Sequence, residues 1–452
     1  MYSNIKKIHL IGIGGIGMSG IAELLLRHGY TVSGSDLKTG EIIKQLESRG
    51  ANIFIGHLAT NIEGADLVVY SSAVSSHNPE MLASLEKKIP VIPRAEMLAE
   101  LMRIRYGIAV AGAHGKTTTT SMIALALLEG GLDPTVVVGG RVDNFGGTNA
   151  RLGSGNFMVV EADESDGSFN KLSPSIAIVT NIDREHMEYY KTMARVKKAY
   201  LSFLEKVPFY GLCVVCGDDP YVRMLFPKVS RRKKTYGFSL DNDYQITSYK
   251  PTLEGTESSI KIKEHSYTLQ LRVPGRHNVL NALAAFTVAD ELSIPRDKIL
   301  AGLYSFQGVQ RRFQKRGELK GVVFIDDYAH HPSEIKATLS AAQERFPHSR
   351  IRVVFQPHRY SRVEDLFDQF SSCFKNCHSV AVTDIYAAGE QPIPGIHSSF
   401  LAESISKTNV EVSRYIPKPI DAIQEWLRES TPGDVIITLG AGDLPHVYKN
   451  LF

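Results

Sequence analysis

Along the chain, short continuous apolar runs alternate with polar or Gly-rich turns and with segments whose apolar residues recur at helical spacing. The first such runs are 8–11, 30–33, 53–55, Leu67–Tyr70 and 91–92, and the first helix-like segment is 18–28. The pattern restarts at 106–110, 157–160 and 176–180, with an Ala- and Leu-rich helix predicted over 121–128. It restarts again at 322–325, 352–355, 380–382 and Val435–Leu439. Apolar strands alternating with helices predict an α/β protein built on doubly wound parallel sheets. Residues 231–272 break the rhythm. Their alternation of charged and β-forming residues predicts an antiparallel excursion, followed by a helix over 282–289. The breaks place domains at 1–105, 106–310 and 311–452, with residues 306–313 as the second boundary.

Open parallel sheets bind ligands beyond the carboxyl ends of their strands, and polar clusters recur at those positions here. The strand at 106–110 runs into Gly112-Ala-His114-Gly115-Lys116-Thr117-Thr118. A Gly-rich turn at a helix start aims several N–H groups at one point, Lys116 adds a mobile positive charge, and Thr117 offers a hydroxyl to Mg²⁺. The usual phosphate-loop pattern wants glycine where Val110 stands, so the loop is a shortened form. Earlier, the strand 8–11 meets Gly12-Ile-Gly14-Gly15-Ile-Gly17, and Asp36 follows 19 residues after Gly17. That arrangement suits a diphosphate at a helix N-terminus and taken alone suggests a nicotinamide-dependent oxidoreductase. Four carboxylates in Glu161-Ala-Asp163-Glu164-Ser-Asp166 must be solvated or neutralised by a cation, and His186 closes a similar cluster. Asn278 and Asn281 share a helix face suited to hydrogen-bonding a base. In the third series, strands end in 326–332, 356–362, Asp384 and 440–443, which together describe one ligand-binding edge.

Composition narrows the classes. At 452 residues, two to four domains are expected. A net charge of only +3 gives no general case for nucleic acid or an anionic membrane. No apolar run reaches the roughly 18 residues needed to cross a bilayer, and no cleavable leader precedes the first strand, so membrane insertion is not expected and a cytoplasmic location is. Cys213, Cys216, Cys373 and Cys377 fall in apolar or isolated settings and read as buried free thiols.

The motifs GIGGIGMSGIAELL, GAHGKTTTT, EADESDGSF, HNVLNALAA, RRFQ, DDYAHHP and FQPHRYSR, in that order, resemble those of the Mur ligase family over essentially the whole chain. The resemblance implies three domains: a Rossmann-like N-terminal domain, a phosphate-loop ATPase domain and a Rossmann-like C-terminal domain. It implies ATP, Mg²⁺ as two ions, and ATP-dependent joining of L-alanine to the lactyl carboxylate of UDP-N-acetylmuramate through an acyl phosphate. ATP would meet Gly112, His114, Gly115, Lys116, Thr117 and Thr118, with Asn278 and Asn281 at adenine and Arg312 reaching the phosphates. Thr117, Glu161 and His186 would hold metal. Gly12, Gly14, Gly15 and Gly17 would take the UDP diphosphate, with Asp36, His57, Ser72 and Arg94 near uridine and sugar. Tyr328, His330 and Arg362 would bind the amino acid, Arg362 its carboxylate and His330 the amine proton, so Lys116, His330 and Arg362 are the expected catalytic residues. The sequence departs from the family at Glu185, where aspartate normally precedes the metal histidine. A lysine that several members carbamylate is replaced by Ala199. Within the family, a ligase that recycles a tripeptide onto the same UDP-sugar is the nearest alternative; the N-terminal signature favours L-alanine.

Overall fold

The computed structural model describes residues 5–451 apart from 72, 104, 253, 409, 449 and 450. Its contacts divide the chain into two compact units. The first comprises residues 1–248, 258–270 and 280–306, and the second 249–257, 271–279 and 307–452.

The first sheet contains β1 (Lys7–Ile11), β2 (Thr31–Asp36), β3 (Asn52–Ile55), β4 (Leu67–Tyr70) and β5 (Val91–Pro93). Their order is β3-β2-β1-β4-β5 and every pairing is parallel. The order reverses at β1, so the turn after Ile11 lies at a topological switch point, where such sheets open a crevice. The helix Ile16–Arg27 follows. Met18, Ile21, Ala22, Leu24 and Leu25 are buried along it, and Gly15 at its N-cap supplies no side-chain cap. The first amides of the helix therefore remain available to a ligand.

The second sheet has ten strands: β6 (Tyr106–Ala111), β7 (Thr135–Val142), β8 (Thr148–Arg151), β9 (Phe157–Glu161), β10 (Ile176–Val179), β11 (Leu212–Cys216), β12 (Lys233–Gly237), β13 (Tyr244–Pro251), β14 (Thr256–Ile262) and β15 (His265–Leu271). Their order is β15-β14-β13-β12-β11-β10-β6-β9-β7-β8. The helix after β6 begins at Lys116, not at 121, and runs to Glu129. Threonine is a poor helix former, but Thr120 and Ser121 return their hydroxyls to the Lys116 and Thr117 carbonyls at 2.8 and 2.7 Å. Residues 118–127 are buried throughout, so packing outweighs propensity. The antiparallel expectation for 231–272 needs correction at its start: β12 pairs in parallel with both β11 and β13. Alternation of side chains reports burial on a pleated strand, not the direction of its neighbour. All four cysteines are buried thiols, and burial pushes Cys213, Cys216 and Cys377 up to about 12.

The third sheet lies in the second unit. It contains β16 (Gln314–Leu319), β17 (Val322–Asp327), β18 (Ile351–Phe355), β19 (Ser379–Val382), β20 (Val412–Tyr415) and β21 (Val435–Leu439), in the order β16-β17-β21-β18-β19-β20. Only β16 is antiparallel. The two edge strands β16 and β20 are polar and partly exposed, so no apolar run marks them in the sequence. Trp426, fully buried, packs with Phe324, Val354 and Ile436 and donates from its indole N–H to the Val353 carbonyl at 2.7 Å. Trp426→Ala should destabilise this unit by about 3–5 kcal/mol. Chemical denaturation followed by circular dichroism measures it, and a loss below about 1 kcal/mol would contradict this packing.

Candidate functional site

Four residues, 112–115, carry the chain from β6 into the helix Lys116–Glu129. Gly112 has φ +143°, and a Cβ there would lie 2.0 Å from Thr180 Oγ1. Gly115 has φ +82°, and its Cβ would lie 2.6 Å from Asn281 Oδ1. Both positions require glycine. The loop is fastened to the end of β10: Asn181 accepts from the His114 amide at 2.8 Å, Thr180 donates to the His114 carbonyl at 2.7 Å, and His114 Nε2 is 3.0 Å from Asp183 Oδ2. Lys116 donates from Nζ to the carbonyls of Gly112 and Ala113 at 2.6 and 3.1 Å and to Glu164 Oε1 at 2.8 Å. Burial works against its charge, but Glu164, Glu161 and Glu185 outweigh burial and raise its pKa. Thr118 is buried within the helix.

The carboxylates of the loop after β9 divide their work. Glu161 Oε2 accepts from Thr117 Oγ1 at 2.8 Å and from the Gly139 amide of β7 at 2.6 Å. Asp163 pairs with Arg94 at 2.9 Å. Glu164 turns inward to Lys116, and burial raises its pKa. His186, at φ +55°, lies with Nε2 3.7 Å from Glu164 and 3.8 Å from Glu185. Burial disfavours its charge, yet Glu188, Glu164 and Glu185 raise its pKa overall. One ligand atom each of Glu164, Glu185 and His186 falls within 4.8 Å of the others. Glu164 Oε2 is buried and accepts no hydrogen bond among the described residues. Hard oxygen donors with one imidazole and an unused buried carboxylate oxygen fit a divalent cation such as Mg²⁺. Thr117 and Glu161 thus meet as expected. His186 is grouped with Glu164 and Glu185 instead, and the longer Glu185 side chain reaches inward.

In the first unit, Gly12, Gly14, Gly15, Asp36 and His57 line one cavity of about 820 Å³, together with Ser71, Asn78 and Arg141. Asp36 Oδ2 accepts from the Gly14 amide at 2.9 Å. Gly17 and Arg94 stand outside that lining: a Cβ on Gly17 would lie 2.7 Å from Arg94 Nη1, and Arg94 points to Asp163. Ser72 lies outside the described residues.

On the helix Arg276–Glu291, Asn278 and Asn281 are both buried, Asn278 donating back to the Pro274 carbonyl at 2.7 Å and Asn281 facing Gly115. In the second unit Arg312 pairs with Glu334 at 3.1 Å and covers the Tyr328 ring at 5.3 Å. Burial and the Arg312 charge push the neighbouring His277 down to about 4. The residues expected at the amino acid gather here. His330 Nδ1 lies 2.9 Å from the Tyr328 carbonyl, and its ring meets those of Tyr328 and His358 edge-on at 5.1 and 5.8 Å. Arg362 Nη1 is 3.4 Å from His358 Nδ1, and Tyr386 stacks on His358 at 5.5 Å. Burial, with the nearby His330 and Arg362, pushes His358 down to about 3, so it stays neutral. Sequence reasoning left Glu164, His358 and Tyr386 out of the site. The first two stood inside motifs already singled out, EADESDGSF and FQPHRYSR. Tyr386, in a loop after β19, gave no signal.

Family models match the chain along most of its length. Residues 7–106 match the model described as Mur ligase family, catalytic domain; 110–289 match the Mur ligase middle domain; 311–442 match the Mur ligase, glutamate ligase domain. The UDP-N-acetylmuramate–L-alanine ligase of Geotalea uraniireducens is 51% identical over 100% of this chain and 98% of its own. The chain belongs to the Mur ligase family. It has that family's three-domain architecture, with Rossmann-like N- and C-terminal domains. The ligase of the same name from Acidobacterium capsulatum is 52% identical over 98% of this chain and 96% of its own. Among solved structures, the UDP-N-acetylmuramate–alanine ligase of Thermotoga maritima superposes with a TM-score of 0.83 at 30% identity, covering 98% of this chain and 97% of that one. A murein peptide ligase from Psychrobacter arcticus, with TM-score 0.73 and 23% identity over 99% and 98% of the chains, shares the fold.

A Cβ at Gly139 would lie 2.7 Å from Glu161 Oε1 and would push the carboxylate off Thr117. Gly139→Ala should raise the Mg²⁺ concentration for half-maximal activity about three- to ten-fold with little change in melting temperature. An unchanged Mg²⁺ titration would remove Glu161 from the metal site.

Proposed function

We propose that this chain is an ATP-dependent ligase that joins L-alanine to the lactyl carboxylate of UDP-N-acetylmuramate in peptidoglycan precursor synthesis. The observation that carries this reading is end-to-end identity of 50–52% with UDP-N-acetylmuramate–L-alanine ligases. The tripeptide-recycling alternative has weaker likenesses behind it: a UDP-N-acetylmuramate:L-alanyl-γ-D-glutamyl-meso-diaminopimelate ligase from Neisseria meningitides at 27% identity over 68% of this chain, and the murein peptide ligase at 23%. A nicotinamide enzyme would leave the phosphate loop and its carboxylates without a task.

Mur ligases are ATP-dependent, with ATP taken up alongside Mg²⁺. In our reading residues 1–105 take the UDP-sugar, 106–310 ATP, and 311–452 the amino acid. A carboxylate oxygen attacks the γ-phosphorus, the bond to the β-phosphate oxygen breaks, and ADP leaves an acyl phosphate behind. Two anions must meet for this step, so positive charge has to be waiting for them. Lys116 supplies it: on ATP binding, Nζ exchanges the Gly112 and Ala113 carbonyls for phosphate oxygens. The loop amides of 112–115 and the uncapped helix start hold the phosphates, and Gly112, His114, Gly115, Thr117 and Thr118 form that cradle. Thr117, Glu161 and His186, with Glu164 and Glu185, would hold Mg²⁺, as two ions, which neutralises phosphate charge when bound. Asn278 and Asn281 face adenine, and Arg312 serves the phosphates. Gly12, Gly14, Gly15 and Gly17 approach the UDP diphosphate, with Asp36, His57, Ser72 and Arg94 around uridine and sugar. Arg362 holds the carboxylate of L-alanine through its planar fork, His330 takes the amine proton, and Tyr328 orients His330. The amine nitrogen then adds to the acyl carbon, and phosphate departs from the tetrahedral adduct.

No described helix is long and apolar enough to cross a membrane. We read the enzyme as cytoplasmic, acting on small molecules without nucleic acid or membrane insertion.

The direct test is incubation with ATP, Mg²⁺, UDP-N-acetylmuramate and each amino acid in turn, with product mass as the readout. L-Alanine should give the major product, because one methyl group discriminates by only roughly 1–3 kcal/mol, leaving glycine and serine as poor substrates. Equal use of bulky amino acids would overturn the reading. Lys116→Ala should lower turnover on the order of 10²–10³ while the melting temperature holds, since Glu164 can take up a proton once its partner is gone. Ligation within a few-fold of the unsubstituted enzyme would contradict the phosphate-loop role. Arg362→Ala should raise KM for L-alanine at least about ten-fold and leave KM for ATP within about two-fold. An unaltered L-alanine KM would remove Arg362 from the amino-acid site.

A further inference from the structure

Under the nucleotide-sugar cavity lies a buried polar cluster that the phosphate chemistry does not use. Glu80, in the first turn of the helix Pro79–Glu86, is fully buried. Its Oε1 accepts from Asn61 Nδ2 at 2.6 Å, and its Oε2 from Ser35 Oγ at 2.6 Å. His57 Nδ1 lies 3.1 Å from Glu80 Oε2 and 3.0 Å from Ser35 Oγ. His9 Nε2 stands 3.8 Å from Oε1, its Nδ1 being 2.9 Å from Ser33 Oγ. Burial alone would push the Glu80 carboxyl up, but His9, Ser35 and Asn61 outweigh it and hold it at about 2, so it is ionised.

The proton positions follow from counting donors. Ser35 has one hydroxyl hydrogen, and it goes to Glu80. Both oxygens facing His57 Nδ1 are therefore acceptors, so Nδ1 carries the proton. In the neutral ring Nε2 is then an acceptor. No group among the described residues bonds Nε2, and His57 lines the cavity.

Sheet order says what meets it. In the nucleotide-sugar reading the diphosphate meets the Gly12–Gly15 turn after β1, and the ribose meets Asp36, where β2 ends. The next strand outward is β3, which ends at Ile55, two residues before His57. The base therefore falls at His57, with the exposed Leu37 at the cavity wall to cover its face. We propose that Glu80 is a positioning residue: by keeping the proton on His57 Nδ1 it makes Nε2 an acceptor for a base N–H and so selects a uracil over a cytosine nucleotide. At N3 uracil presents an N–H donor, whereas cytosine presents a lone pair there. This inference rests on the nucleotide-sugar reading of the cavity.

Calorimetry on the full-length enzyme at about pH 8, with UDP and CDP as probes, tests it. UDP should bind about ten- to a hundred-fold more tightly. In Glu80→Gln, Asn61 keeps its donor on Oε1, since its Nδ2 also holds the Gly56 carbonyl at 3.2 Å. The new amide N–H₂ then faces Ser35 and His57, and the ring proton has to move to Nε2. The preference for UDP should shrink to within about three-fold, and KM for UDP-N-acetylmuramate should rise with kcat largely kept. Nitrogen-15 histidine spectra of the unsubstituted enzyme read the tautomer directly, with His57→Gln identifying the resonances, so the inference stays testable if Glu80→Gln fails to fold. A proton found on Nε2, or UDP and CDP binding equally, overturns it. Failure of UDP to bind at all overturns the nucleotide-sugar reading, and this inference with it.

Discussion

The phosphate-loop end of the second sheet is arranged around one ion pair, Lys116 with Glu164, with Glu161 and Glu185 beside it. A lone buried ammonium or carboxylate is costly, and each partner here makes the other tolerable. The arrangement holds a positive charge at the end of β6. Lys116 meanwhile occupies the carbonyls of Gly112 and Ala113, so its own loop is kept in shape by the group we assign to the phosphates. Thr180, Asn181 and Asp183 brace the same loop from β10. The site is therefore preorganised by side chains whose strands form the core of the sheet.

The same logic recurs at the other two sheets with different chemistry. At the first, glycine amides and the uncapped start of Ile16–Arg27 offer donors to a diphosphate, and Asp36 and His57 extend the wall outward strand by strand. At the third, Asp327 holds the turn by accepting from Phe313 and Ala329 at 2.7 and 2.8 Å, and burial raises it to about 6. That turn presents Tyr328 and His330 beside His358 and Arg362. Parallel strands all deliver their carboxyl ends to one edge, so residues far apart in sequence converge without long side chains.

Much of this was legible in sequence because parallel strands are apolar from end to end. Runs such as 176–180 and Val435–Leu439 marked the strands, and the polar clusters after them marked the binding edge. Glycine and lysine in 112–116 carry their meaning locally, since a left-handed φ and a loop-end charge leave a signature of residue type. Edge strands β16 and β20 were missed for the converse reason: exposure lets them be polar. Ranking the four carboxylates of 161–166 was beyond sequence, because spacing does not tell which one turns inward to Lys116 and which outward to Arg94. Tyr386 and Glu80 escaped for a similar reason. Each matters through a partner more than twenty residues away, His358 for one and His57 for the other.

In the proposed reaction the cradle at Lys116 and Thr117 transfers a γ-phosphate to the substrate carboxylate. The most direct measurement uses UDP-N-acetylmuramate carrying the heavy oxygen isotope in its lactyl carboxylate, with mass analysis of the products after ligation to L-alanine. An acyl phosphate requires one labelled oxygen in the released inorganic phosphate and none in the nucleotide, which is ADP. Label in AMP, or unlabelled phosphate with ligation complete, would contradict transfer through an acyl phosphate.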